Sequence, residues 1–171
     1  MISERIEIIK ADITRLKMDA IVNAANNSLM GGGGVDGAIH KAAGNQLDEE
    51  CRKLRGCETG KSKITRGYNL PAEYIIHTVG PVWNNGTEKE EMLLASCYQT
   101  ALQLALDYKI KTVAFPSIST GAYRFSFDKA VKIALKNITD FLKEHSEIEK
   151  IYLVFFSDKD LEMVKKIIKN E

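Results

Sequence analysis

Cysteine is scarce in this chain, and what little there is forms no pattern. Cys51, Cys57 and Cys97 are odd in number, and five residues separate the first two, so no Cys-x-x-Cys pair exists. No histidine stands beside them in sequence to complete a zinc site, so no metal ligands are expected. Reduced thiols in an intracellular protein are the expectation, not a disulfide framework. An excess of charge of one sign is also missing: 24 Lys and Arg against 23 Asp and Glu leave a net charge of +1. That balance gives no support for a general polyanion binder, so nucleic acid is not indicated as a partner. Lys61-Ser62-Lys63 and Lys165-Lys166 read as solvated faces. Long apolar runs are absent, none approaching the roughly 18 residues of a membrane span. Met1-Ile2-Ser3-Glu4-Arg5 carries no apolar signal segment. Repeats, linkers and low-complexity stretches are lacking too. These absences lead to the expectation of a soluble cytoplasmic protein with no membrane partner, a monomer, folded as one domain over residues 1–171. A chain of this length buries roughly 70% of its unfolded surface.

What is present is concentrated between Asn23 and His40. Asn23-Ala24-Ala25-Asn26-Asn27-Ser28-Leu29-Met30 leads into Gly31 to Gly34, then Val35-Asp36-Gly37-Ala38-Ile39-His40. Consecutive glycines remove the side chains that keep a ligand off the backbone and permit positive φ. A helix-compatible run, Ala38 to Ala43, follows, so the loop directs N–H groups and a partial positive charge at an anion, most often a phosphate. Asp36, a carboxylate inside that loop, is electrostatically awkward there and calls for a reason.

Two familiar phosphate loops are excluded. Gly32-x-Gly34-x-x-Gly37 spells the dinucleotide fingerprint, but an Asn-rich segment separates it from the apolar Ala20-Ile21-Val22. The region about 20 residues on, Asp48 to Arg55, is charged and helical where a strand-ending acid is required. Gly60-Lys61-Ser62 resembles the end of a Walker A loop, yet Arg55 stands where its first glycine belongs.

Ile6 to Ala11 alternates like a strand, and Ala20-Ile21-Val22 reads as a short buried one. Asn45 to Leu54 is helical, with Leu47, Cys51 and Leu54 on one face. Lys63 to Tyr68 and Tyr74 to Val79 are strand-like around an Asn69-Leu70-Pro71 turn. Glu88 to Tyr108 is a long amphipathic helix. Thr112 to Phe115 is a buried strand, and Ser126 caps a helix running to about His145. Lys150 to Phe156 is an apolar strand, and Asp158 to Lys169 a final helix. Strands alternating with helices predict an α/β fold, helices covering both faces of a mixed sheet. Strand ends leading into Asn23, Ser117 and Ser157 deliver their loops to one sheet edge, where such folds bind ligands.

Across nearly the whole chain, segments in a fixed order carry a family likeness. They are Asp12-Ile13-Thr14, Asn23-Ala24-Ala25-Asn26, Gly31 to His40, Gly56-Cys57-Glu58-Thr59-Gly60, His77-Thr78-Val79-Gly80-Pro81 and Pro116-Ser117-Ile118-Ser119-Thr120-Gly121. Together they resemble the macrodomain family, in particular its deacetylase-like, MacroD-type branch that removes ADP-ribose from proteins. The resemblance implies a three-layer α/β/α macrodomain with a central mixed sheet flanked by helices. It implies ADP-ribose, O-acetyl-ADP-ribose and mono-ADP-ribosylated proteins as partners, hydrolysis without a metal, and no cofactor.

In a pocket of that family the Asp12 carboxylate accepts from the adenine amino group while the Ile13 N–H contacts the ring. The alternative is an exposed acid capping the Thr14 turn. Phe156 either stacks on adenine or belongs to the core. The pyrophosphate lies between one loop carrying Gly32, Gly33, Gly34 and Val35 and another carrying Ser119, Thr120, Gly121 and Ala122. Oriented N–H dipoles can hold its charge without Lys or Arg. Asn26, Asp36 and Tyr123 face the distal ribose, Asn23 joins the ligand contacts, and the family places its catalytic pair at Asn26 and Asp36. Phosphates beside Asp36 make it a stronger base, able to direct water at the anomeric carbon or at a ribose ester carbonyl. Asp36 as a helix cap is compatible with that role. His40 reads as structural, His77 as a strand end and His145 as a surface position, none with a visible Ser or Cys partner. A hydrolase of mono-ADP-ribose on acidic side chains is expected, which would also deacetylate O-acetyl-ADP-ribose. The alternative is a reader that binds without turnover. Two departures from the family stand out. Ala11 replaces a common glycine, and Arg124-Phe125-Ser126 replaces Gly, an aromatic and Pro. Arg124 either reaches the phosphate rim or faces solvent beside a rearranged turn.

Overall fold

The structure, a computed structural model, describes residues 2–170; Met1 and Glu171, the ends of the expected domain, lie outside the described residues. Among the described residues there are six strands and five helices, alternating except where β1 precedes β2, α1 precedes α2 and β3 precedes β4. Strands are β1 (Ile6–Lys10), β2 (Ala20–Ala25), β3 (Ser62–Arg66), β4 (Tyr74–Val79), β5 (Thr112–Phe115) and β6 (Lys150–Phe155). Helices are α1 (Gly34–Ala43), α2 (Asn45–Leu54), α3 (Glu88–Asp107), α4 (Phe127–Glu144) and α5 (Asp158–Lys169). They form one sheet in the order β1-β6-β5-β2-β4-β3. Every pairing is parallel except β3 with β4, so the sheet is mixed, as expected.

The inner strands β2, β4, β5 and β6 bury both faces, and the pleat sends successive side chains to opposite cores. Ile21, Ile75, Ala114 and Val154 join α1 and α2 through Ile39, Ala43, Leu47 and Cys51. Their neighbours Val22, Ile76, Val113 and Leu153 join α3, α4 and α5 through Leu94, Leu102, Leu135 and Val164. This is the three-layer α/β/α arrangement. Among the described residues, no helix is long and apolar enough to cross a membrane.

Several boundaries differ from the sequence reading. β2 runs on to Ala25 because Asn23, Ala24 and Ala25 pair with His77, Thr78 and Val79 of β4. His77 is therefore inside β4, not at its end. α1 starts at Gly34, since the Gly37 N–H already donates to the Gly33 carbonyl at 3.3 Å, and Asp36 sits in the first helical turn. β3 stops at Arg66, where Gly67 turns its N–H to the Glu73 carbonyl at 2.8 Å. Ser126 occupies the N-cap position of α4, but its side chain makes no capping bond. α3 has the fuller device: Thr87 and Glu90 form a reciprocal capping box.

Candidate functional site

β2, β5 and β6 run parallel, so their carboxyl ends open on the same edge of the sheet, with β2 and β5 adjacent. A cleft of about 520 Å³ occupies that edge, lined by the loops that follow these strands. That volume is in the ordinary range for small-molecule sites.

One wall is the glycine loop and the start of α1. Gly33 is the N-cap and offers no side chain to the first N–H groups of the helix, which stay free for an anion. The loop packs tightly on itself: a Cβ on Gly37 would fall 2.3 Å from the Gly32 carbonyl oxygen. Asn26 braces the loop by donating to the Gly31 carbonyl at 2.8 Å. Its Oδ1 accepts from Ser28 Oγ at 2.7 Å and from the Leu29 N–H at 3.1 Å. A second Asn26 N–H is left for a ligand.

The facing wall is the segment after β5. Ser119 and Arg124 both adopt left-handed backbone, with φ of 66° and 60°. The turn is closed by Arg124 N–H to the Gly121 carbonyl (2.9 Å) and Phe125 N–H to the Ser119 carbonyl (2.8 Å). Arg124 thus keeps the conformation a glycine would favour, at a cost of roughly 1–2 kcal/mol. Its side chain is exposed, and Arg124 is not among the residues lining the cleft. Ser119 Oγ is buried on the cleft wall without a hydrogen-bond partner.

Between the walls stands Asp36, 6% exposed. Its two oxygens have different surroundings. Oδ1 faces inward, accepting from Asn23 Nδ2 at 2.8 Å and lying 3.4 Å from His40 Nε2. Oδ2 points to Gly32, where a Cβ would meet it at 3.2 Å and Asn26 Nδ2 at 3.4 Å. One oxygen is held and the other is turned toward Asn26 and the cleft. His40 Nδ1 donates to Asp48 Oδ1 at 2.8 Å. Asp36 first, then Asp48, raises the His40 pKa against the opposing effect of burial. His77 is pushed down to about 3, by burial first and then by His40, and is neutral. Its ring accepts at Nδ1 from Asn23 Nδ2 (3.1 Å) and meets Thr65 Oγ1 with Nε2 (2.9 Å).

Asn26, Gly32, Gly33, Gly34, Val35 and Asp36 line the cleft, and so do Ser119, Thr120, Gly121, Ala122, Tyr123 and Phe156. Phe156 is 82% exposed and so is no core residue. Three residues expected to contact the ligand are not among those lining the cleft. Asn23 is fully buried behind Asp36, because the pairing with His77 turns its amide into the layer under α1. Asp12 caps a short 3-10 turn, Ile13–Arg15, accepting from Thr14 N–H (3.0 Å) and Thr14 Oγ1 (2.6 Å). Its pKa is lowered chiefly by that hydroxyl. The Ile13 side chain is buried in the core on the α1 side, which does not engage its backbone N–H, the group expected to contact the ring.

Gly80 and Asp160 also line the cleft and were missed. A Cβ on Gly80 would strike Ser119 Oγ at 2.1 Å, a contact between distant segments that no local pattern encodes. Asp160 had a local signal, Ser157 three residues before it after an apolar strand; the Asp160 N–H donates to Ser157 Oγ at 3.2 Å. The reading of the cysteines also needs correction. Cys51 has no histidine nearby in sequence, yet the fold brings His40 and His77 to it. Its thiol is pushed up to about 12, by burial first.

Comparison with known proteins gives a consistent result. The Macro domain family model matches residues 22–134. A Macro domain-containing protein of Methanosarcina mazei is 56% identical over 165 residues, 96% of this chain and 88% of that one. Mouse ADP-ribose glycohydrolase MACROD2 is 52% identical over 169 residues, 96% of this chain and 35% of that longer protein. The Trypanosoma brucei macrodomain in complex with ADP-ribose superposes with a TM-score of 0.90 at 39% identity, covering 96% of this chain and 69% of that one. Matched in sequence over most of its length and in fold over nearly all of it, the chain belongs to the Macro domain family.

Proposed function

We propose that this chain, acting as a single macrodomain over residues 1–171, binds ADP-ribose and hydrolyses it from acidic side chains of proteins. We extend the same chemistry to the acetyl ester of O-acetyl-ADP-ribose. The observation that carries the reading is the divided carboxylate of Asp36, one oxygen held by Asn23 and the other turned toward Asn26 and the cleft. The anion-binding start of α1 lies in the same wall. The names of its relatives agree: mouse MACROD2 is an ADP-ribose glycohydrolase, and the Trypanosoma brucei macrodomain binds ADP-ribose.

In this mechanism the free N–H groups of Gly33 to Val35 and the loop from Ser119 to Tyr123 hold the pyrophosphate. Phe156 covers the adenine, and Asn26 orients the distal ribose. Asp36 Oδ2 takes a proton from water as the water oxygen bonds to the anomeric carbon. The bond from that carbon to the protein carboxylate breaks, and the carboxylate leaves with the electron pair. With the acetyl ester, water adds instead to the carbonyl carbon, and the ribose oxygen leaves with a proton.

Incubation with a glutamate-linked ADP-ribosyl protein, followed by mass spectrometry, tests the reading: free ADP-ribose and unmodified glutamate are expected. Calorimetry should rank ADP-ribose above ADP and ADP above AMP. Binding without release would identify a reader, and equal affinity for AMP and ADP-ribose would remove the pyrophosphate assignment.

A further inference from the structure

Behind Asp36, in the layer between β4 and the α1–α2 pair, lies a side-chain cluster that hydrolysis does not require as a unit. His40, Cys51 and His77 are all buried, and one ligand atom from each lies within 4.8 Å of the others. Cys51 Sγ is 4.0 Å from His77 Nε2.

Buried polar atoms are nearly always paired, and an exception calls for an explanation. Three such side-chain atoms lack a well-formed hydrogen bond among the described residues; Ser119 Oγ faces the cleft, but Asn23 Oδ1 and His40 Nε2, the latter in a long 3.4 Å contact with Asp36 Oδ1, belong to this cluster. His40 already donates from Nδ1 to Asp48, which leaves Nε2 as the inward nitrogen. A carboxylate fixing one imidazole nitrogen so that the other can ligate is the usual outer-shell arrangement of a metal site. The unpartnered Asn23 oxygen has a matching use. Rotating that amide presents Oδ1 to a proton on His77 Nδ1 and frees His77 Nε2 from Thr65.

We propose that His40, Cys51 and His77 form a site for a soft divalent metal ion of the zinc class, and that occupancy switches hydrolysis off. Two imidazoles and a thiolate are the donor set such ions take. Ligands of one zinc ion stand roughly 3.5 Å apart, so small side-chain shifts close the cluster. Asp36 Oδ1, 3.4 Å from His40 Nε2 but outside the 4.8 Å grouping, moves in as the fourth ligand. One metal–sulfur, two metal–nitrogen and one metal–oxygen bond form as the ion gives up bound water. The Cys51 thiol proton and the His40 Nε2 proton leave to solvent, and His40 keeps its Nδ1 proton on Asp48. The His77 proton moves from Nε2 to Nδ1, where the turned Asn23 Oδ1 accepts it. The same event turns the Asn23 amide from Asp36 and draws that carboxylate back from the cleft. The switch rests on the hydrolase reading; the metal site does not.

The whole 171-residue chain, freed of metal, is titrated with Co²⁺ as the spectroscopic probe. One equivalent should give a thiolate-to-cobalt charge-transfer band that Zn²⁺ abolishes. The band should persist in Cys57→Ser and Cys97→Ser and vanish in Cys51→Ser. X-ray absorption of zinc-loaded wild type, which depends on no variant folding, should show one sulfur and two imidazoles around the metal. Hydrolysis should fall by at least about tenfold on loading, recover with chelator, and ignore Zn²⁺ in Cys51→Ser. No thiolate band at stoichiometric Co²⁺, or a zinc shell without sulfur, overturns the site. Loading that leaves hydrolysis intact overturns the switch. If metal-free protein shows no hydrolysis, the hydrolase reading fails while the cobalt spectrum still reports on the site.

Discussion

At the residue scale, function rests on how differently the two oxygens of Asp36 are treated. Asp36→Ala should lower turnover by about 10²–10⁴-fold if the carboxylate is the general base. ADP-ribose binding should survive, because a like charge beside the phosphates is gone; single-turnover release and calorimetry measure the two effects. Asn23→Ala tests the buried half of the arrangement. A hydrogen bond to a charged group contributes roughly 1.5–3 kcal/mol, so kcat should fall about 10- to 100-fold with little change in KM. A KM effect of similar size would mean that Asn23 shapes the cleft instead of aiming the carboxylate. Arg124, exposed and off the cleft lining, should be silent: Arg124→Ala keeps its ADP-ribose affinity at low and at moderate salt. A loss that shrinks as salt rises would put the guanidinium on the phosphates after all.

At the scale of elements, two short segments carry separable predictions. The glycine loop has no room at Gly37, and Gly37→Ala sets a methyl against the Gly32 carbonyl. Overpacking of this kind costs about 1–3 kcal/mol. The variant should melt several degrees lower and lose ADP-ribose affinity, both readable in one thermal-shift series with ligand. The start of α3 depends on Glu90, which accepts from the Thr87 hydroxyl, the Thr87 N–H and the Asn84 N–H. The Thr87 hydroxyl is the main cause of its lowered pKa. A carboxylate whose folded pKa is depressed adds stability above its unfolded value and loses it as pH falls through the folded one. Glu90→Gln should therefore melt below wild type at neutral pH, with the gap closing below about pH 4.5. A gap unchanged into acid would assign the effect to packing. The sequence showed these elements unevenly. α2 and α3 were legible from their apolar spacing, and β5 from its apolar run. The last half of β2 was not, because Asn23 is polar and only its partner His77, far along the chain, makes it a strand residue. For the same reason the cluster of His40, Cys51 and His77 was invisible, since each belongs to a different element.

At the scale of the whole molecule, the alternation of strands and helices was enough to anticipate helices on both faces of a mixed sheet. The order of the strands was not legible, because it depends on which edge each crossover chooses. Among the described residues that order places β1 outermost, with β6 its one partner, from Ile6 opposite Ile151 to Lys10 opposite Phe155. Arg5 tightens the same junction, donating to the Leu142, His145 and Ile148 carbonyls. During synthesis, then, β1 leaves the ribosome well before the strand it pairs with. Until β6 emerges, Ile6, Ile8 and Ile9 have no partner strand, and β6, lacking β1, would become an open edge ready to recruit another chain. Clipping the first dozen residues should therefore cost more in solubility than in ligand contacts, because it uncovers the sheet's side and leaves the phosphate loops in place.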